Sequence, residues 1–482
     1  MEKDFGNYLP LMGKKSFIYV LIALIGIFCG GLFFYLMSLS SPYDEGLIIG
    51  GMFLLGVLAI YFFYVLESPE ASIPFIICSS WLVFFEPAPT DILAGLAILA
   101  FLIHRIIRGR KLIRIDFKLV LLFIFLLFNL NNLITGQDDI ASRVLFFSIT
   151  VYLVALTFLV FQLSVSYKLI HKQIALFLIP GAITAFVLIL SYLANASKMD
   201  LGIFKDILMF EERSRAFFKD PNVAGPFLIL PATYCFAILL NDGSRRKSLF
   251  LILFLLLGTA ILSTFSRGAI LGIIISTISV SILSLDKRTF LRVLIGVSLV
   301  IGILSIVISV MPKTDIFERI YDTKFGVEDR MTRIERGVEA FKQNPIIGSG
   351  MELPMEEAPH DTYFLLLQQI GILGFISFWL PIILLTFHMI IKGKRSSQKL
   401  ERAILFTLVG TILAHMTLGT IIYLIHWRHF WYMVGLSLAA VRLTNINHVM
   451  VAEENRQKKL KNIFSNRRGG GLKAATGAIW NT

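Results

Sequence analysis

Apolar runs of about 18 or more residues recur along the whole chain, each long enough to cross a hydrocarbon core of roughly 30 Å as a helix. In hydrocarbon every backbone N–H and C=O must be satisfied within the segment, so runs this frequent admit one architecture, a polytopic bundle of membrane-spanning α-helices. Composition agrees: 56% of the 482 residues are hydrophobic and 16% charged. Mean hydropathy is +0.78, whereas a soluble domain carries about one quarter charged residues.

The candidate spans lie at about 16–38, 46–66, 72–86, 90–107, 119–135, 143–163, 174–196, 223–240, 248–264, 268–285, 293–311, 362–391, 403–425 and 429–443. Some are short or closely spaced, which sets the expected count at about 12–14. The first run is too long for a signal-peptide core and lacks a convincing cleavage site, so it is read as retained. Cys29, Cys78 and Cys235 all fall inside apolar spans, where a thiol behaves as a small hydrophobe; neither a disulfide framework nor metal-type cysteine spacing is present.

The formal charge of +13 does not point to nucleic acid, because the cations sit in short clusters between spans. That is the pattern of topology signals and of contacts with anionic membrane lipids. With Lys3, Lys14 and Lys15 in the cytoplasm, alternation places the connectors "HRIIRGRKLIRIDFK", "SYKLIHKQ", "SRRK", "DKRTFLR" and "KGKRSSQKLER" on the same side. The basic tail, "NRQKKLKNIFSNRR" within residues 444–482, joins them and is expected to be partly disordered. Residues 1–443 then form one transmembrane domain with both termini cytoplasmic. Two outer segments are long and still carry cations, about 197–222 and 312–361.

Those segments and one short connector hold the candidate chemistry. In "SRAFFKDPNVAG", Arg215 lies among Arg213, Lys219, Asp220, Pro221 and Asn222. Asp-Pro-Asn is a helix-start pattern in which Asp220 or Asn222 caps the next span; taken alone, a headgroup contact accounts for Arg215. In "STFSRGAILG", Arg267 occupies a very short connector that holds its cation at the membrane surface, and Gly268 and Gly272 allow a close helix neighbour. In "APHDTYFLLLQQIGILG", His360 closes the large outer loop, with Asp361 and Thr362 placed to cap the following span. A neutral imidazole accepts a proton near pH 7, as a general base must, and also serves as a plain surface or capping residue. His426 and His429, around Trp427 and Arg428 in "HWRHF", read as an interfacial belt as well as they read as a site.

The large loop adds "EDRMTRIERGVEAFKQNP", with Met331, Ile334, Val338 and Phe341 on one helical stripe, Arg330 at its border and Arg336 nearly opposite. Pro345 stops this helix, and Gly348 and Gly350 permit a tight return, so a helical lid is expected. Arginines and a histidine on one outer face suit a reaction on a diphosphate: guanidinium forks bind the oxygens and the imidazole activates a hydroxyl. No D-x-D pair and no His/Cys ligand cluster is present, so neither a metal nor another cofactor is called for. Asn129, Asn131, Asn132, Gln368 and Gln369 are expected to deepen an outer cavity rather than to line a path through the bundle. A transporter or flippase for polyprenyl-linked sugars needs such a path; a non-catalytic scaffold is the third alternative.

The motifs "RAFFKDPNVAG", "TFSRGAILG", "RMTRIERGVEAFKQNPIIGSG" and "HDTYFLLLQQIGILG", in this order between apolar spans, resemble the O-antigen ligase and polymerase family over roughly residues 210–380. The resemblance implies a GT-C-type glycosyltransferase of the bacterial cytoplasmic (inner) membrane with an extracytoplasmic active site. It further implies metal-independent, inverting transfer of a glycan from an undecaprenyl-diphosphate carrier to a sugar hydroxyl of a glycan or glycolipid acceptor. That acceptor is a lipid A–core sugar, another surface acceptor or another lipid-linked repeat. By the same resemblance Arg215, Arg267 and Arg330 hold the diphosphate and His360 is the base. Two positions depart from the family: Asp361 stands where Asn is common after the histidine, and Ile334 where tryptophan is common.

Overall fold

The computed structural model describes residues 45–84, 87–109, 114–197, 199, 202, 205–210, 213–241, 247–284, 324–354 and 357–444. Among them, eight helices are long and apolar enough to cross a membrane: Pro89–Ile107, Phe117–Ile134, Ile140–Leu163, Tyr167–Ala196, Pro221–Asn241, Arg267–Ser284, Thr362–Arg395 and Lys399–Leu418. Shorter apolar helices, Leu54–Glu67 and Lys247–Ser263, and a helix over residues 428–444 complete the described bundle. The expected spans at 16–38 and 293–311 and the basic tail lie outside the described residues, as does the large loop before residue 324.

Two spans differ from their sequence reading. The expected span at 72–86 is an eight-residue helix, Ser72–Ser79, about 12 Å long. It stops because Ser79 and Ser80 turn their hydroxyls back onto the carbonyls of Ile76 and Ile77, at 3.2 and 2.6 Å. The chain beyond leaves helical geometry, and the Val83 amide donates to the carbonyl of Phe217 at 3.0 Å.

The second is Thr362–Arg395, expected as one uninterrupted span. Gly371 breaks it, with φ 64° and ψ −172°. Tyr363 and Trp379 stack at 4.5 Å between ring centroids, nearly parallel, although a straight helix would set these positions about 24 Å apart. The short segment 362–370 therefore folds back along the start of the longer one. Its first residues, and His360 just before them, come level with Trp379 instead of standing clear of the bundle.

Contacts sort the helix ends into two groups. At one end Gln162 clamps the Arg114 backbone through two hydrogen bonds, at 3.2 and 2.8 Å. There Arg442 also donates to the Ser164 carbonyl at 2.8 Å, and Tyr167 lies beside Glu401. Three of the basic connectors meet at this end, through Arg114, Tyr167 and Glu401. At the opposite end Arg428 and Asp91 form a two-point ion pair at 2.5 and 2.6 Å, and every candidate site residue within the described segments lies there. Between the ends, Phe125, Phe378, Phe430 and Trp431 interlock as the aromatic centre of the core.

Candidate active site

The last turn of Lys399–Leu418 and the loop after it form the hub on which three separate loops converge. The Thr362 amide donates to the Gly419 carbonyl at 2.7 Å and its hydroxyl to the Ile422 carbonyl at 2.8 Å, while the Leu424 amide donates to that hydroxyl at 3.0 Å. Tyr363 donates to the Met416 carbonyl at 3.0 Å. On the other flank Leu418 packs so tightly on Gly268 and Gly272 that a Cβ on either would sit 2.9 and 3.4 Å from its methyls. The expected small-residue contact is thus real, and it brings Arg267 and His360 to opposite flanks of one helix end.

Arg267 begins Arg267–Ser284 as an exposed side chain. Ser266 precedes it as a cap, accepting from the Ala269 amide at 3.4 Å. A helix N-terminus carries unpaired N–H groups and a positive dipole end, so Arg267 adds its charge to a position already suited to an anion. Phe265, two residues earlier, holds a left-handed φ of 50°, as does Ala216 in the neighbouring loop. Such geometry is uncommon outside glycine and costs of order 1–3 kcal/mol, which surrounding contacts must offset.

Arg213 supplies one of those contacts. Its Nε donates to the Thr264 carbonyl at 3.1 Å and one terminal nitrogen to Asn222 Oδ1 at 3.0 Å, tying the two strained loops together. Arg215 is half-buried: Nε donates to the Ile207 carbonyl at 3.2 Å and Nη1 to the Lys219 carbonyl at 2.9 Å. The rings of Phe84 and Phe210 lie 5.1 and 5.6 Å from its guanidinium carbon. Its orientation is set by the protein before any ligand arrives. Asp220 caps the next helix as expected, accepting from the Asn222 amide at 2.7 Å. Asn222 has a second task that sequence reasoning missed, receiving Arg213.

The lid is a helix, Lys324–Gln343, as expected. Its inward face differs by about one position from the expected stripe. Gly337 and Ala340 are buried, Ile334, Val338 and Phe341 are half-buried, and Met331 is 51% exposed. Gly337 sets this register, because a Cβ there would lie 2.5 Å from Pro359. Arg336, expected to project away from the stripe, is exposed and pairs with Glu357 at 2.8 Å. Arg333, which the sequence reading passed over, pairs with Asp329 at 2.9 Å and turns toward the site.

His360 is exposed beside this face. Partial loss of hydration, then the charges of Arg333 and Arg330, hold its pKa below the ordinary value of 6.5, with Asp329 opposing. Asp361 is not the group that tunes it. It is a helix cap, accepting from the Phe364 amide at 2.8 Å, and its burial pushes its own pKa up. Site-resolved NMR titration of His360 is expected to give a midpoint below 6.5, leaving the imidazole neutral at pH 7. A midpoint above that value would contradict this electrostatic picture.

Two other expectations change. Asn131, Asn132 and Gln368 commit donors to structural hydrogen bonds, whereas the oxygens Asn132 Oδ1 and Gln368 Oε1 are buried without a partner among the described residues. Asn131 donates to the carbonyls of Gly348 and Gln369 at 2.9 and 3.2 Å, Asn132 to Gln369 Oε1 at 3.2 Å, and Gln368 to the Gly350 carbonyl at 2.9 Å. Asn129 is buried in the same helix. Together they seat the loop 345–351 in the notch opened at Gly371, where the Pro345 carbonyl receives the Ile372 amide at 2.9 Å. The "HWRHF" segment is not an interfacial belt either: Trp427 and His429 are 5% and 7% exposed. The half-buried pair of Arg428 with Asp91 draws this segment inward.

Among the described residues no three His, Cys, Asp or Glu side chains gather as a metal site would require. No curated protein matches the chain. Residues 252–379, which take in Arg267, the lid and His360, match the family described as O-antigen ligase.

Proposed function

We propose that this chain, whose residues 252–379 support its assignment to the O-antigen ligase family, transfers a glycan from an undecaprenyl-diphosphate carrier to a sugar hydroxyl outside the bacterial cytoplasmic membrane. The observation that carries the proposal is the common hub: it sets Arg267, at a helix N-terminus, across from His360, which lies under the arginines of the lid. The reading of the side is supported by the basic connectors at Arg114, Tyr167 and Glu401, which lie at the other end of the bundle and which the positive-inside rule assigns to the cytoplasm.

In this reading Arg215 and Arg267 hold the donor diphosphate and Arg330 reaches it from the lid. His360 takes the proton from the acceptor hydroxyl. The freed oxygen attacks the anomeric carbon from the face opposite the diphosphate, a new C–O bond forms, and the bond to the diphosphate breaks. The diphosphate departs with the electron pair, its charge stabilised by the guanidiniums, and the anomeric centre is inverted. Asp220 and Asn222 fix the loop that carries Arg215, and Asp361 fixes the helix start behind His360.

Reconstitution in vesicles with a defined undecaprenyl-diphosphate glycan and candidate acceptors, with chelator present, tests this. A new glycosidic bond of inverted configuration is expected. Movement of the intact donor across the bilayer without a new bond would sink the proposal in favour of a transporter.

A further inference from the structure

The register of the lid fixes where Arg333 stands. Gly337 lies against Pro359 and the Ala340 carbonyl accepts from Ser349 Oγ at 2.8 Å, so this face of the helix looks down on the chain entering His360. Arg333 is one turn before Gly337 on that face. Its side chain is 20% exposed, against 57% for Asp329 and 48% for Arg336. Asp329 holds it by Nε, so the guanidinium is positioned rather than swinging in solvent.

Chemistry assigns a side to this cation. A base that deprotonates the acceptor stands beside the acceptor, whereas inversion requires the leaving diphosphate on the opposite face of the anomeric carbon. Proton transfer also turns His360 into a cation next to Arg333 and Arg330, with Asp329 the one acidic group acting on it among the described residues. A negative charge carried in by the acceptor offsets that repulsion at the moment it develops.

We infer that Arg333 forms an oxyanion subsite on the acceptor side of His360, so that the sugar receiving the glycan carries a phosphate or a carboxylate near its accepting hydroxyl. This rests on the transfer reaction proposed above and narrows its acceptor to an anionic class.

The test uses the full chain in nanodiscs and three lipid-anchored disaccharides that share one accepting sugar: unmodified, bearing a phosphate monoester, or oxidised to a uronic acid. Wild type is expected to favour an anionic acceptor by about 10- to 100-fold in KM and in direct binding, as for a charge-assisted hydrogen bond. Whichever anion is favoured identifies the source of the charge. Arg333→Gln is expected to lose that preference, using all three acceptors with a similar KM, and Arg333→Lys to retain part of it. Arg330→Gln is expected to lower transfer to all three alike. Equal use of the three acceptors by wild type, or an unchanged preference in Arg333→Gln, overturns the inference. Preferential binding of an anionic acceptor without transfer to any of them would support the subsite and remove the reaction instead.

Discussion

His360→Ala is expected to lower glycan transfer by about 10²- to 10⁴-fold, the usual contribution of a general base, in a protein that inserts and folds as wild type does. Folding is spared because no hydrogen bond among the described residues runs through this imidazole. The neighbouring cap belongs to Asp361, and the tie to the hub belongs to Thr362. Donor affinity should change little, since the diphosphate is assigned to arginines of other loops. Transfer near the wild-type rate by His360→Ala, in reconstituted vesicles of confirmed topology, would remove this residue from the mechanism. A loss matched by a fall in melting temperature would show a structural part instead.

Gly371→Ala carries the second large effect, and it acts on the architecture. The backbone there has φ 64°, and an added Cβ would lie 2.4 Å from the Ile346 carbonyl oxygen. The obstacle is main chain, in a loop pinned by Asn131, Gln368 and Gln369, so neither partner can swing aside. A destabilisation of at least about 3 kcal/mol is expected, combining the left-handed penalty with the displaced loop. Thermal unfolding in detergent measures it. Gly258→Ala is the matched control: a Cβ there meets nothing within 4 Å, and the change should stay within about 1 kcal/mol. Equal stability of the two variants would mean that the fold-back at Gly371 is not what seats the lid loop. Because that loop ends the lid helix, Gly371→Ala should also lower transfer, although it lies eleven residues from His360 in sequence.

Much of this was legible beforehand. Long apolar runs demand helices in lipid, so the helical bundle could be read without any knowledge of contacts. The helix caps at Asp220 and Asp361 were readable too, because capping is a local affair of two or three residues. The lid helix was readable from its period, but its inward face was not. Periodicity finds the apolar stripe, yet Pro359 meets Gly337, a position with no side chain to signal its burial.

The partners of the polar groups were beyond sequence reasoning for a related reason. Asn131, Asn132, Gln368 and Gln369 looked like the lining of a cavity because amides in a membrane need partners. Which partners they find depends on the fold-back at Gly371, which opens a notch and brings the carbonyls of residues 347–350 into reach. Arg333 was invisible as a site residue for the same kind of cause: its neighbour His360 is distant in sequence, and only the lid register turns one toward the other.

Sequence alone thus determined what solvent and local backbone chemistry dictate: helices across a bilayer, cations at one end, caps at helix starts, and the order of the motifs. Tertiary structure decided which loops share the hub at Leu418 and Gly419, that the chain reverses at Gly371, and which arginine lies over the histidine. The physical reason is range. Burial and capping act on neighbouring residues and leave a pattern in the chain, whereas a site built from three loops exists only where packing closes them on one another.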